Sequence, residues 1–414
     1  MDIALVNNYL YLRGGSERVM FEEAELLRSR QATVSFFSRW QAQSPRTPDD
    51  DLFPPFIDPE SLPVLGKLRQ IPRILYNQQT GRLFAQFLQR RQPSLIHAHN
   101  IYGGLTSAVC DAAKGAGIPM VMTLHDYKLL CPAYLMLTNG QVCNACRPGA
   151  YLHCVTRRCH KANRAYSLIY ALESYLTHWG KKYAAIRYFI CPSQFMRQKV
   201  LEAGVAEARA VYLPNAVDVT RFEPSVIPGD YLLYVGRLSQ EKGLATLLAA
   251  LQPLAIPLAI VGEGPLRAEL EAFVVRQGMA DRVGFHGHQS GEALQRLFQH
   301  AAGVVIPSEW YENAPMTVLE AFAYGKAVIG TRIGGIPEMI APGQTGFLVT
   351  PGAPEELREA LHTLWARPRE RCAMGRAARE VVTTRFSPQH HLEALVALYQ
   401  QAGAADPRGL ASLQ

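Results

Sequence analysis

Residues 231–251 read YLLYVGRLSQEKGLATLLAAL. Tyr231–Val235 is a five-residue apolar run with the length and composition of a strand buried on both faces. Gly236 ends it, Arg237 and Lys242 follow five residues apart, and after Gly243 a leucine- and alanine-rich helical stretch begins. Strand, glycine-flanked turn and helix make one half of a βαβ unit. The plan recurs in both directions. Ile3–Val6, Thr33–Phe37, Leu95–His97, Met120–Leu124 and Tyr188–Cys191 read as strands in the first half. Leu258–Val261, Val304–Ile306, Ala327–Gly330 and Phe347–Val349 continue the series, with helical segments between, among them Ser16–Arg30. Strands apolar on both faces and separated by helices predict buried parallel sheets. Two successive sets predict an α/β protein of two doubly wound, Rossmann-like domains.

The boundary is placed near Leu213–Pro228, which carries three prolines. The first domain is assigned residues 1–213 and the second 214–387, with a last helix, 388–402, returning to the first. Pro368–Phe386 reads as another late helix, and residues 402–414 as a frayed tail. Arg46–Pro72 is Pro-rich and reads as an irregular excursion. Its Asp49–Asp51 run is taken as a solvated loop rather than a metal site.

The composition narrows the function. The chain has 414 residues, 48% apolar and 19% charged, an ordinary globular mix with no collagen, coiled-coil or disorder signature. No apolar run reaches the ~18 residues of a spanning helix. The N-terminus lacks the basic and apolar regions of a signal peptide, so a cytoplasmic protein is expected. Eight cysteines in that compartment are read as thiols or metal ligands rather than disulfides. The net charge is 42 − 35 = +7. Residues 1–213 carry 25 basic and 15 acidic side chains, and residues 214–414 carry 17 and 20, so the excess belongs to the first half.

Several turns carry candidate chemistry. Arg13-Gly14-Gly15-Ser16-Glu17 follows the first strand, where glycines let backbone N–H groups approach an anion or simply make a tight turn of positive φ. It is not GxGxxG, and no acidic ribose partner ends the second strand, so a dinucleotide dehydrogenase is disfavoured. At Arg237 and Lys242, a forked guanidinium and a compact ammonium at the carboxyl end of a strand suit a diphosphate. Gly262 sits in a third turn, Val261-Gly262-Glu263-Gly264-Pro265. Glu312 follows another strand, and Glu320 lies eight residues on in a helix beginning near Met316. Carboxylates at that spacing can accept hydrogen bonds from vicinal diols. Gly334-Gly335 reads as a simple connection.

Together these residues resemble the retaining glycosyltransferases of family 4, of GT-B fold, in which two Rossmann-like domains face a cleft. The likeness covers nearly the whole chain and is strongest from Pro214 to Val349. The glutamate–x7–glutamate signature is matched by Glu312 and Glu320, and Gly-Arg-Leu…Lys-Gly by Arg237 and Lys242. The Gly-Gly-Ala-Glu loop appears as Gly14-Gly15-Ser16-Glu17, and Pro-Asn-Gly-Val-Asp as Pro214-Asn215-Ala216-Val217-Asp218. The departure is Asn313-Ala314 after Glu312, where the family often has Phe-Gly, and it bears on sugar specificity.

The resemblance implies transfer of a sugar from a nucleotide-diphosphate donor, UDP- or GDP-linked, with retention at the anomeric carbon. Arg237 and Lys242 would neutralise the diphosphate, Glu312 would hold sugar hydroxyls, and Glu320 the ribose diol. Gly262, Phe285, Gly287, Asn313, Ala314 and Leu319 would complete the donor site, with Gly14 and Gly15 contacting phosphate. His125, after the fourth strand, would reach the donor sugar or the acceptor; the other reading is a buried, hydrogen-bonded histidine. No Asp-x-Asp site is apparent, so no cofactor is expected for catalysis. The acceptor would be a glycan or a lipid-linked sugar in polysaccharide or cell-envelope assembly.

An insertion follows His125, at about 128–164. Cys131-x11-Cys143-x2-Cys146-x7-Cys154-x4-Cys159 places five thiols within 29 positions. Cys143, Cys146, Cys154 and Cys159, with Cys131 as a further candidate, suit a structural zinc ion. Free thiols, disulfides and an iron–sulfur cluster remain alternatives. Tyr127–Leu172 holds six Lys or Arg and no acidic residue. Such a face could meet anionic lipid at the inner membrane surface or be a solvated face around a metal. Two other functions stay open: a GT-B relative acting as a phosphorylase or epimerase, and a zinc-containing nucleic-acid binder. The second leaves Arg237, Lys242, Glu312 and Glu320 unexplained, so no nucleic-acid partner is expected.

Overall fold

Asp2–Val6 (β1) pairs in parallel on both sides, with Thr33–Phe37 (β2) and with Leu95–Ala98 (β3). In this computed structural model, which describes residues 1–58, 61–225 and 228–404, β1 is the point at which the first sheet changes direction. The chain runs outward to β2, returns to β3, and continues through Met120–Thr123 (β4), past a two-stranded ladder of Leu137–Thr138 (β5) and Gln141–Val142 (β6). Ile186–Cys191 (β7) and Ala210–Tyr212 (β8) complete the sheet, in the order β2-β1-β3-β4-β7-β8, all parallel. The second sheet comprises Tyr231–Val235 (β9), Leu258–Val261 (β10), Val283–Phe285 (β11), Ala301–Ile306 (β12), Val328–Thr331 (β13) and Gly346–Val349 (β14). Its order is β11-β10-β9-β12-β13-β14, again all parallel. The fold is thus α/β with two doubly wound sheets of six strands each.

The chain divides into two compact units. Unit 1 holds Met1–Asn139, Cys143–Pro214 and the residues from His391 onward, and unit 2 holds Asn215–His390 with Gly140–Val142. In unit 2 the strand pleat explains why the strands are apolar throughout. Leu232 and Tyr234 point into one core with Leu247, Leu248 and Leu251. Leu233, between them, points into the other with Val318 and Phe322. In unit 1, Phe37 packs on Phe84 and Phe87 with ring centroids 4.6 and 5.3 Å away.

Three expectations are corrected. Two core strands went unread: β8 has three residues, and β11 is Val-Gly-Phe, too short for a periodic signal. Arg46–Pro72 is partly ordered, with a 3₁₀ turn at Asp50–Leu52 and a helix at Val64–Leu75. The Asp49–Asp51 run is solvated only at its end, where Asp51 is exposed. Asp49 is buried and ion-paired with Arg91 at 2.8 Å, and Arg90 forks onto both oxygens of Asp51 at 2.7 and 2.8 Å. Most of the closing tail, 405–414, lies outside the described residues. Among the described residues no helix is long and apolar enough to cross a membrane.

Candidate functional site

In unit 2 the strand order reverses between β9 and β12, and ligands of doubly wound sheets bind at the carboxyl ends of strands flanking such a reversal. The sequence places Arg237 and Lys242 after β9 and Glu312 after β12. The structure brings the last two together: Lys242 Nζ lies 2.7 Å from Glu312 Oε1. Ser308 Oγ donates to the same oxygen at 2.6 Å, and the Lys242 ammonium stands 5.1 Å over the Trp310 ring. Burial alone would raise the Glu312 pKa. The Lys242 ammonium and the Ser308 hydroxyl outweigh it and keep the carboxyl below its ordinary range, hence ionised. Arg237 is exposed, and its guanidinium has no acidic partner among the described residues. Exposed and without such a partner, the Arg237 guanidinium is free to meet an incoming anion.

Glycines fix this geometry. Gly243 has φ +68°, and a Cβ there would stand 1.9 Å from the Pro307 carbonyl oxygen. Gly334 has φ +60°, and its Cβ would reach the Glu312 carbonyl oxygen at 2.1 Å, while Gly335 N–H donates to that oxygen at 2.7 Å. The Gly334-Gly335 turn therefore buttresses the backbone of Glu312 and is more than a connection. Asn215 Nδ2 donates to the Ala314 carbonyl at 3.3 Å, tying the loop to the start of unit 2. Sequence reasoning missed both supports. The run of Gly-Gly after β13 was the available signal, but nothing local says which backbone it meets.

The other predicted donor residues separate into groups. Gly262 N–H donates to the Gly287 carbonyl at 2.7 Å, so the ends of β10 and β11 meet there, beside the half-buried Phe285. Glu320 is buried on the helix Met316–Ala323. Leu319, on the same helix, points into the apolar core, so only its main chain can meet a ligand. Asn313 and Ala314 lie in the loop beside Glu312, both half-buried.

In unit 1, Gly14 caps the helix Gly15–Ser29 in an extended conformation, φ −168°. The alternative reading, a tight turn of positive φ, does not hold at Gly14. Glu17 is buried and accepts from Asn7 Nδ2 at 3.1 Å, holding the end of β1 against this helix. His125 is half-buried at the end of a polar chain that the sequence did not show. Its Nε2 lies 2.9 Å from His99 Nδ1, and His99 Nε2 lies 3.5 Å from Glu23 Oε2. Glu23 Oε1 meets His391 Nε2 at 3.0 Å, and His391 Nδ1 meets the Pro214 carbonyl at 2.8 Å. Two acceptors on one imidazole require two N–H groups, so His391 is imidazolium. Burial works against that charge, but Glu23 holds its pKa above the ordinary range. Burial pushes His125 the other way, down to about 4.

Glu23, His97 and His99 place ligand atoms within 4.8 Å of one another. Both His97 nitrogens are already engaged, with Tyr399 and Thr123 hydroxyls at 2.7 Å each. The trio reads as a hydrogen-bond network that orients His125 rather than as a metal centre.

Comparison with known proteins agrees with this architecture. Residues 13–221 match the model described as Glycosyltransferase Family 4, and residues 222–381 match Glycosyl transferases group 1. The D-rhamnosyltransferase WbpZ of Pseudomonas aeruginosa is 38% identical over 150 residues, 36% of this chain and 39% of that protein. The glycogen synthase of Mycobacterium tuberculosis is 30% identical over 322 residues, 75% of this chain and 69% of the relative. The chain covers less than half the length of WbpZ and of the α-D-kanosaminyltransferase of Streptomyces kanamyceticus. Among solved structures, sucrose-phosphate synthase of Thermosynechococcus elongatus superposes with TM-score 0.73 at 21% identity, over 98% of this chain and all of that one. Anabaena HepE, solved with UDP and glucose, superposes with TM-score 0.66 at 18% identity, over 97% of this chain and all of that one. With the reversal-point geometry and both family matches in place, the chain belongs to the family 4 glycosyltransferases of GT-B fold.

Proposed function

We propose that the protein transfers a sugar from a nucleotide-diphosphate donor, UDP- or GDP-linked, with retention of anomeric configuration. The observation that carries this reading is the Lys242–Glu312 ion pair beside exposed Arg237 at the strand-order reversal of unit 2. A diphosphate leaving group gains negative charge as the glycosidic bond breaks, and two preorganised cations stabilise that charge. Glu312, kept ionised, accepts from sugar hydroxyls, and Glu320 accepts from the ribose diol. Unit 1 serves the acceptor through His125, and its Gly14-Gly15 turn contacts the donor phosphate. With Glu312 held by Lys242 and Ser308, a front-face, ion-pair-like step fits this set better than a double displacement.

The acceptor is a glycan or lipid-linked sugar, and its lipid form is supported by one face of unit 1. Leu168, Leu172, Leu176 and Trp179 are exposed at helical spacing on Arg164–Trp179. The helix Val64–Leu75 packs against it and exposes Leu65 and Leu68 beside Arg69 and Arg73. Apolar residues rimmed by cations suit an anionic lipid surface, which supports a peripheral position on a membrane.

A panel of nucleotide sugars in a thermal-unfolding assay tests the donor, since a ligand that binds only the folded chain raises its unfolding temperature. A UDP- or GDP-sugar should raise it in the parent and not in Lys242→Ala. No shift with any nucleotide sugar sinks the reading. The anomeric configuration of the product, read by NMR, decides retention.

A further inference from the structure

The first sheet has a reversal of its own. Its order begins β2-β1-β3, so the chain leaves β1 to one side and returns to the other. Ligands of such sheets bind outside the carboxyl ends of the strands at that point. Two arginines stand there. Arg13 lies late in the loop after β1, and Arg39 follows the end of β2. Both guanidiniums share one ring: Arg13 Cζ is 4.3 Å and Arg39 Cζ 5.0 Å from the centre of Tyr9. Arg39 also stands 4.7 Å over Phe56. Neither arginine has an acidic partner among the described residues. Glu17, on the helix that follows Arg13, is committed to Asn7 Nδ2 at 3.1 Å and Ser16 Oγ at 2.9 Å.

Arg39 is only 9% exposed, yet little beyond the two rings holds its guanidinium. Nε donates to the Asn8 carbonyl at a long 3.4 Å, and the Tyr9 hydroxyl is its other acceptor. Arg371, the other buried arginine among the described residues, shows the contrast. Its fork is spent on the main-chain carbonyls of Leu364, Trp365 and Pro228, at 3.1, 3.2 and 2.7 Å. That is how a structural guanidinium is satisfied. At Arg39 most of the fork is left over. Aromatic faces return only part of what desolvating an ion costs, so a guanidinium in this state is complete only with an anion on it.

The surroundings are shaped to keep Arg39 in place. A Cβ on Gly104, after β3, would stand 2.6 Å from Arg39 Cζ and 2.5 Å from Asn8 Oδ1, so no larger residue fits. Asn8 is itself fixed: Nδ2 donates to the Tyr102 carbonyl at 2.7 Å, and Oδ1 accepts from the Leu105 N–H at 3.1 Å. Main-chain bonds bring Phe56 over Arg39. Trp40 N–H donates to the Pro54 carbonyl at 2.9 Å, and Phe56 N–H to the Trp40 carbonyl at 3.1 Å. The ends of three strands thus converge on one preformed cation, with Arg13 exposed beside it.

Two uncompensated positive charges on one ring suit an anion of matching charge. A phosphate monoester or a diphosphate linkage brings about two negative charges and several acceptor oxygens, where a carboxylate brings one charge. The donor's diphosphate has its own cations in unit 2, Arg237 and Lys242. Resting on the transfer reading above, we propose that Arg13 and Arg39 hold a phosphate group carried by the acceptor, on a soluble sugar or in a sugar–lipid diphosphate linkage.

Inorganic phosphate is the probe, compared with acetate at equal ionic strength in thermal unfolding. The comparison is made in Arg237→Gln, which removes the free cation of the donor site and leaves Lys242 held by Glu312. Phosphate, and not acetate, should raise the unfolding temperature of that variant. It should fail to do so once Arg13→Gln or Arg39→Gln is added. No phosphate-specific rise in Arg237→Gln overturns the proposal, and so does a rise that survives the addition of Arg13→Gln. Should Arg39→Gln fail to fold, Arg13→Gln, changed at the surface, still decides. The nucleotide-sugar shift keeps the two readings apart. Its absence from the parent defeats sugar transfer, and the acceptor role with it, while the phosphate result still decides the anion site. A shift present in the parent and lost in Arg13→Gln alone means that the anion met here is the donor's, and the proposal falls. With the donor in hand, transfer is measured to a soluble sugar phosphate, to the same sugar on a lipid diphosphate in detergent micelles, and to the unphosphorylated sugar. The acceptor used should show a KM raised ~10–100-fold in Arg13→Gln, with the donor KM unchanged. Equal use of the unphosphorylated sugar overturns the assignment.

Discussion

Glu312 shows how one buried carboxylate depends on neighbours distant in sequence. Its charge rests on Lys242, 70 residues away, and its backbone on Gly334 and Gly335. Lys242→Ala leaves the carboxylate buried without its cation. The expected cost is about 2 kcal/mol of stability, less than for a fully buried pair because Lys242 is partly exposed. Transfer should fall ~10²–10³-fold, as when a preorganised charge partner is removed. Steady-state kinetics and thermal unfolding measure the two effects, and undiminished turnover would remove Lys242 from the site. Gly334→Ala separates position from charge. A methyl group there meets the Glu312 carbonyl in a backbone conformation that alanine resists, so about 1–3 kcal/mol is lost. Activity should drop with it although no charged group has changed. A variant with wild-type kinetics would show that the turn does not set the Glu312 backbone.

Elements differ in how plainly the sequence displays them. β9 and β10 are legible to the residue because each alternates between two apolar cores and ends at a glycine, and β2 because a short β-branched and aromatic run ends at a polar turn. β8 and β11 are not, since three residues carry no period and their place is set by the neighbours they pair with. The same division holds for the site. Arg237, Lys242 and Glu312 follow strand ends and Glu320 lies on the next helix, where spacing makes chemistry legible. Asn215, Gly334 and the Glu23–His99–His125 chain act through contacts between segments up to 99 residues apart, which no local pattern encodes. The last helix, Pro388–Gln401, is the clearest case. Its Tyr399 hydroxyl sits 2.7 Å from His97 Nδ1, beneath β3. Tyr399→Phe should cost about 1 kcal/mol by removing that bond from a buried imidazole. His391→Ala should cost more, since it strands the Glu23 carboxylate. Chemical denaturation ranks the two, and equal, negligible losses would mean the network adds nothing to unit 1.

At the scale of the molecule, the net charge of +7 is an average of unlike parts. Even within the basic segment one cation is spent internally: Lys128 is buried against Glu173 at 2.6 Å, a partner one residue beyond the acid-free stretch. Unit 1 should respond to acid through its buried histidines. Burial holds His97 and His99 below the ordinary imidazole range, and His125 and His160 near 4. Each then favours the folded state fully above the unfolded value of about 6.5, and loses that contribution as pH falls toward its folded value. Glu23, also lowered, acts in the same direction at lower pH, whereas His391 and Asp126 are raised and oppose it. The balance predicts a lower unfolding temperature at about pH 5 than at about pH 7.5, checked by thermal scans. An unchanged value would mean these histidines are not buried as neutral rings. The returning helix bears also on how the chain is made. Glu23 leaves the ribosome 368 positions ahead of His391. During that interval the nascent first unit holds an acid facing imidazoles with no cation to neutralise it, and its core stays unsealed. Unit 2, nearly contiguous, has every residue it needs before His391 is added. The half encoded later is therefore the first able to mature, and the half encoded first is the one a chaperone would have to shelter.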